Sequence, residues 1–127
     1  MLMTLAPRQT MKITTRLILA TLFLSPFSHA EVKLGSKEII LDNDRVEVVR
    51  VTYPVGAQSG MHTHPYPYRT VYFVKGGRLQ LTPSNKNESV KVVNAEDGMI
   101  LYLAGSSHNV KNIGDSEIIM IETELKP

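Results

Sequence analysis

Short runs of hydrophobic residues follow one another after residue 30, and turn-forming residues separate them. The runs are rich in β-branched and aromatic residues. No window of 11 or more residues shows a 3.6-residue period, so the pattern predicts strands rather than helices. Gly76-Gly77, between two such runs, is typical of a hairpin turn. The predicted strands are 37–41, 45–53, 61–64, 69–75, 78–82, 90–93, 99–103, 108–111 and 117–124.

Eight or nine short strands at regular spacing, without an internal repeat, a linker or a low-complexity stretch, favour a closed barrel or a jelly roll. The chain of 127 residues less the first 30 leaves 97, which predicts a single all-β domain over 31–127. A domain of that size without disulfides buries little apolar surface, so we expect it to form a homodimer.

The first 30 residues follow a different pattern. Three basic residues and no acidic one stand near their start: Arg8, Lys12 and Arg16. An apolar run over 17–24 comes next, and Ser28-His29-Ala30 closes the segment. This order predicts a secretory signal peptide over 1–30, cleaved before Glu31, and a periplasmic or secreted protein. The run has about half of the ~20 apolar residues that a membrane span needs, so no span is expected after cleavage. Met11 is a candidate for the true start.

Charge and composition exclude several functions. The chain has 14 Lys and Arg and 12 Asp and Glu; without the three basic residues of the leader, 11 basic residues face 12 acidic ones, a net charge of −1. No basic run remains, and the chain has no Trp, three Phe and five Tyr, so no nucleic-acid partner is expected. The absence of Cys excludes disulfides, thiolate metal sites and a cysteine nucleophile.

Three histidines remain after residue 30. His62 and His64 are two positions apart on one predicted strand, so their rings share a face with Cα atoms about 6–7 Å apart. That spacing allows both to bind one ion with bonds of about 2 Å. His108 begins another predicted strand and can approach from a neighbouring position. The candidate metals are Fe, Zn, Ni, Cu and Mn rather than Mg or Ca, because imidazole suits transition metals.

The histidines also lie in segments that resemble the two motifs of the cupin family. Gly60-Met-His62-Thr-His64, followed by Arg69 and Gly76, is similar to the first motif, and 98–112 is similar to the second. The resemblance implies a jelly-roll β-barrel, often dimeric, with a metal held inside it by the motif histidines. Two positions depart from the motifs: Arg69 stands where the family has a metal-binding Glu, and Leu103 stands at the usual Pro position.

Arg69 leaves several alternatives open, because a guanidinium cannot bind a metal. It would repel a divalent ion by about 4 kcal/mol per unit charge at 4 Å. Arg69 either points away from a three-histidine centre, or Tyr66, Tyr68 or Glu47 supplies the missing ligand, or the metal is lost and Arg69 binds a ligand itself. A purely structural pairing with a buried acid such as Glu47 is equally compatible with the sequence.

Two functions follow from these alternatives. The first is an exported cupin that holds a transition metal through His62, His64 and His108, with oxygenase- or isomerase-like chemistry on a small molecule that only the resemblance supports. The second is a metal-independent binding or sensing module, in which Arg69 and the histidines bind an anionic or sugar-like ligand and Tyr66 and Tyr68 rim the pocket. No catalytic acid/base pair or nucleophile is indicated.

Overall fold

Nine strands form the regular structure of residues 29–127, the part of the chain that this computed structural model describes. Residues 1–28, with nearly all of the predicted signal peptide and the candidate start at Met11, lie outside the described residues. The strands are β1 (Ser36–Asp42), β2 (Val46–Tyr53), β3 (His62–Thr63), β4 (Tyr68–Lys75), β5 (Gly77–Pro83), β6 (Lys91–Ala95), β7 (Ile100–Ala104), β8 (Ser107–Asn112) and β9 (Ile118–Leu125).

The all-β prediction is confirmed, since each predicted strand matches one observed strand with ends that agree within two residues. The described part contains no helix, and therefore none long and apolar enough to cross a membrane. The regular alternation of side chains between two faces explains the agreement. In β9, buried and half-buried residues alternate from Ile118 to Leu125, as they should in a strand with one face on a core.

The strands form two antiparallel sheets that pack face to face. One sheet has the order β1-β2-β9-β4-β7 and the other the order β3-β8-β5-β6. From β2 to β5 and from β6 to β9 the chain passes from one sheet to the other at every connection, as in a jelly roll. The core between the sheets consists mainly of aliphatic side chains with Phe73 and Tyr53, and its largest fully buried apolar members are Phe73, Ile118 and Val49.

The inner faces become polar at one end of this core. On the five-stranded sheet, Arg69 of β4 lies directly opposite Glu124 of β9, and Glu47 of β2 lies opposite Glu124 on its other side. On the four-stranded sheet, His62 of β3 lies directly opposite His108 of β8. Since opposite residues of an antiparallel pair share a face, two sets of ionisable side chains face each other across the interior.

Candidate metal centre

The structure brings His62, His64 and His108 into one group. His64 follows the two-residue strand β3, and its backbone N–H donates to the carbonyl of Ser106 at 2.9 Å, which extends the β3–β8 pairing. The three ring centroids lie 4.7, 4.9 and 5.0 Å apart. The prediction that rings from two neighbouring strands converge therefore agrees with the geometry.

Two glycines of the sequence motifs shape the backbone around this group. Gly60, two residues before His62, has a φ of +74°, a conformation that side chains with a Cβ rarely adopt. Gly105 precedes β8, and a Cβ there would lie 2.6 Å from the carbonyl oxygen of Tyr66. Only glycine lets the loop before His108 pass this close to the turn after His64.

Each histidine ring is held by a partner at its Nδ1. Nδ1 of His62 donates to the carbonyl oxygen of Gly60 at 3.1 Å; a carbonyl can only accept, so the other nitrogen, Nε2, carries the lone pair. Nδ1 of His108 lies 3.0 Å from the hydroxyl of Ser106, and Nδ1 of His64 is hydrogen-bonded to a carboxylate oxygen of Glu124. Metal-binding histidines are characteristically fixed in this way.

The donor set fits a divalent transition metal. Nε2 of His62 lies 3.0 Å from Nε2 of His64, a distance at which one nitrogen donates a hydrogen bond to the other or both bind one cation. Two nitrogens bound to one ion at about 2.1 Å and at a right angle lie about 3 Å apart. Burial, with neighbouring positive groups, lowers the pKa values of His64 and His108 to about 3, so both rings are neutral at neutral pH, the form that binds a metal.

Arg69 points into the protein interior and is only 2% exposed. Its Nη1 donates to the carbonyl of Ala104 at 2.8 Å, and its Nε lies 3.5 Å from a carboxylate oxygen of Glu122. The pairing with a buried acid that the sequence left open is therefore present, but with Glu122 rather than Glu47. Glu47 instead lies 3.5 Å from the ammonium of Lys37.

Glu122 and Glu124 are the site residues that sequence reasoning missed. Both continue along β9 the row of buried, inward-facing residues that begins with Ile118 and Met120, and this two-residue period is the signal that could have placed them inside. Burial raises the pKa of Glu122 to about 7 although Arg69 opposes the shift, and it also raises the pKa of Glu124. His64, Glu122 and Glu124 form a second close group of residues that could bind a metal, but the guanidinium of Arg69 beside Glu122 already supplies the positive charge there.

A cavity of about 370 Å³ opens onto the histidines. Tyr66 lines it, whereas Tyr68 lies on the outer face of β4 and stacks on Tyr102 with ring centroids 5.3 Å apart. The other polar lining residues include Lys37, Glu47, Tyr53 and Ser59. Arg69 does not line this cavity but a separate, mostly apolar space of about 40 Å³. Tyr66 thus lines the cavity together with the histidines, Tyr68 does not, and Arg69 borders His108 only from the smaller space.

Comparison with known proteins identifies the class that this fold and this histidine group define. The family model for the cupin domain matches residues 49–124, and the chain belongs to the cupin family. Both the resemblance drawn from the two motifs and the jelly-roll prediction are thereby confirmed.

Individual proteins are also similar to this chain. The Beta-alanine degradation protein BauB of Pseudomonas aeruginosa is 32% identical over 87 residues, which cover 68% of this chain and 87% of BauB. A cupin domain of Bordetella pertussis is 26% identical, with a TM-score of 0.70 over 77% of this chain and 99% of that one. A Klebsiella pneumoniae protein with a double-stranded β-helix domain shares the fold at 19% identity, with a TM-score of 0.59 over 72% of this chain and 76% of that one.

Proposed function

We propose that this cupin binds one divalent transition metal ion through His62, His64 and His108 and offers it to a small molecule in the adjoining cavity. The observation that carries the proposal is the 3.0 Å separation of the two Nε2 atoms of His62 and His64, with each of the three rings held from behind at Nδ1. Three protein ligands leave coordination positions free for a ligand. Fe, Zn, Ni, Cu and Mn are the candidate ions.

The chain's own residues would orient the histidines around the ion. Glu124 fixes the ring of His64, and Arg69 offsets the negative charge of the two buried glutamates. Burial raises the pKa of Tyr53 to about 12, so its hydroxyl in the cavity wall stays protonated and can donate a hydrogen bond. A bound ion would supply Lewis-acid or redox chemistry, which suits the oxygenase- or isomerase-like reactions that the family resemblance implies.

A small carboxylate is the ligand class that the cavity suits. Lys37 and Tyr66 line a space of about 370 Å³, within the size range of small-molecule sites, and the exposed ammonium of Lys37 can attract a carboxylate in addition to Glu47, with which it pairs at 3.5 Å. The name of the Pseudomonas relative assigns that protein to the degradation of β-alanine, itself a small carboxylate, and this supports the same class here.

The metal-independent alternative has less support. It depends on Arg69 as the group that binds an anionic or sugar-like ligand, but the guanidinium is engaged by Ala104 and Glu122 and does not line the cavity beside the histidines. A ligand that binds equally well after chelation of all metal, and that is lost in Arg69→Ala, would favour this alternative.

Metal content measured on protein purified without a His tag tests the proposal. After reconstitution and dialysis, we expect elemental mass spectrometry to find about one ion per chain. We expect His62→Ala and His108→Ala each to lower the affinity for the metal at least tenfold. Thr63→Ala is the matched control, because Thr63 is exposed on the same strand between the two histidines. Substoichiometric metal that His62→Ala leaves unchanged would contradict the proposal.

A second measurement tests the ligand. Titration of the zinc-loaded protein with β-alanine and other small carboxylates is expected to give heat in the calorimeter that disappears after metal removal. If protein that carries about one ion per chain gives no such heat, the ligand class is rejected and the proposal of a metal centre still stands.

A further inference from the structure

The small space of about 40 Å³, which we call the apolar chamber, lies between the sheets at the margin formed by β6 and β7. These two strands are edge strands of different sheets, and within the part of the chain that the structure describes no strand pairing joins them. Val93 of β6 lines the chamber, as do Leu101 and Leu103 of β7. Aliphatic side chains rather than a backbone ladder therefore cover this margin.

The leucines of β7 face inward and are still incompletely buried. Leu103 lies directly opposite Arg69, and Leu101 lies directly opposite Val71, so each pair shares a face. Arg69 and Val71 are 2% and 4% exposed, whereas both leucines are only half-buried. Since a close-packed interior would cover them, the chamber opens to the surface between β6 and β7.

The inner end of the chamber reaches the histidine group. His108 and Glu122 line both the chamber and the larger cavity. The larger cavity is lined in addition by Lys37 of β1 and Thr63 of β3, and these strands are the edge strands of the opposite margin. His108 therefore borders two spaces of different polarity, and the two spaces lie towards different margins of the sandwich.

The size and the lining of the chamber select a small apolar molecule. One water molecule needs about 10–15 Å³ of such space, so a chamber of about 40 Å³ has room for about three atoms of that size. Nine of its twelve lining residues are apolar, and the three others are Arg69, His108 and Glu122. Water needs several polar partners, whereas apolar cavities stay dry and bind apolar molecules such as xenon.

We infer that the apolar chamber binds an apolar molecule of the size of dioxygen and conducts it from the margin of β6 and β7 to the histidine group. The binding depends on the chamber alone, and the use of the bound molecule at a metal ion rests on the proposed function. A charged molecule is excluded from the chamber, because the transfer of a charge into apolar surroundings is costly. The larger cavity, with Lys37 and Glu47 in its wall, suits a charged ligand. Two reactants of different polarity can therefore reach the histidines by separate paths.

Methyl NMR spectra of the metal-free protein under increasing xenon pressure test the binding. Xenon is the probe because it is apolar, uncharged and small enough for the chamber. We expect saturable shifts of the methyl signals of Leu101, Leu103 and Val93. The methyl signals of Val49 and Ile118 should not shift, because both side chains are fully buried and neither lines the chamber.

Two substitutions that narrow the chamber should weaken xenon binding. Leu101→Phe and Leu81→Phe each place a larger side chain in the wall of the chamber, and we expect each to lower the affinity for xenon by about tenfold or more. Both positions are half-buried, so the variants should keep the wild-type circular dichroism spectrum. Ile100→Phe is the matched control, because Ile100 lies on the same strand, is 65% exposed and should leave xenon binding unchanged.

Stopped-flow binding of nitric oxide, an apolar diatomic molecule, to the Fe(II)-loaded protein tests the conduction. Leu101→Phe should lower the association rate constant severalfold, and Ile100→Phe should leave it unchanged.

The inference is overturned if xenon causes no saturable methyl shift in the wild type, or if both chamber variants bind xenon as the wild type does. Nitric oxide that binds Leu101→Phe at the wild-type rate, although xenon binding is lost, would reject the conduction. Protein that holds no metal but binds xenon in the chamber would contradict the proposed function and support the binding site inferred here.

Discussion

Replacing Arg69 with methionine should destabilise the metal-free protein strongly, because the substitution leaves buried carboxylates without their cation. Arg69 is 2% exposed, and its neighbours Glu122 and Glu124 are 8% and 4% exposed. The guanidinium also donates to the carbonyl of Ala104, so that acceptor loses its partner in the variant too. Methionine preserves most of the apolar volume of the arginine stem, so the variant separates the loss of the charged, hydrogen-bonding head group from a loss of packing.

The geometry gives the size of the effect. Unit charges 3.5 Å apart, the separation of Arg69 Nε and Glu122 Oε2, attract by about 5 kcal/mol at an effective dielectric constant of about 20. Removal of one partner from a buried pair costs about 3–5 kcal/mol. We expect the free energy of unfolding to fall by about that amount at pH 8, where Glu122, with its pKa raised to about 7, is ionised.

Urea denaturation followed by far-ultraviolet circular dichroism in EDTA measures the change. The deficit should shrink at pH 5.5, because protonation of Glu122 removes the ion pair from the wild type as well. Arg78→Met, at an exposed position on the other sheet, should change the free energy of unfolding by less than about 0.5 kcal/mol. Adding Glu122→Gln to Arg69→Met should recover about half of the loss.

Two outcomes would refute this reasoning. A deficit below about 1 kcal/mol at pH 8, against the 3–5 kcal/mol expected for a broken buried pair, would mean that Arg69 does not stabilise the glutamates. An equal deficit at pH 5.5 and pH 8 would mean that the loss comes from packing or from the hydrogen bond to Ala104 rather than from the ion pair with Glu122.

Two further predictions concern stability without metal. Burial lowers the pKa values of His64 and His108 from 6.5 to about 3, so the protein loses stability as the pH falls below 6.5. Burial raises the pKa of Glu122 from 4.5 to about 7, so the stability that its protonated form contributes is lost as the pH rises through 7. The urea midpoint should therefore be highest near pH 6.5, and a midpoint that is higher at pH 4.5 than at pH 6.5 would contradict these assignments. Asn112→Ala should cost about 2–3 kcal/mol in the same assay, because the fully buried amide donates to two backbone carbonyls at 2.9 and 2.8 Å. The exposed Asn94→Ala should cost almost nothing, and equal effects of the two substitutions would refute the role of the buried amide.

Local patterns in the sequence were sufficient to predict the strands and the histidine group. The two-residue period gives β4 and β9 their inner faces without any knowledge of their partners, and the spacing of His62 and His64 puts both rings on one side. The same two-residue period also predicts the direction of Tyr68. Tyr68 is the first residue of β4 and adjoins Arg69, so it must face outward because Arg69 faces inward.

The partner of Arg69 could not be read from the sequence in the same way. Glu122 lies 53 positions further along the chain, and which strand lies beside β4, and in which register, depends on long-range pairing rather than on local pattern. Glu47, the acid named from the sequence, does lie on the same inner face, but β9 separates β2 from β4. The sequence therefore indicated a buried partner without identifying it.

The pairing of Arg69 removes the main objection to a metal at the three histidines. An isolated guanidinium beside a divalent ion would repel it, but here the charge is offset by Glu122 at 3.5 Å and by Glu124, which lies directly opposite on β9. Glu124 in turn fixes the ring of His64. Where the family motif has an acid on β4, this chain has Arg69, and the carboxylate beside the histidines is that of Glu124 on the neighbouring strand. That carboxylate is a partner of His64 rather than a candidate ligand in its own right. A metal held by the three histidines would therefore have one protein ligand fewer than the motif would supply, and that position would be free for a small molecule.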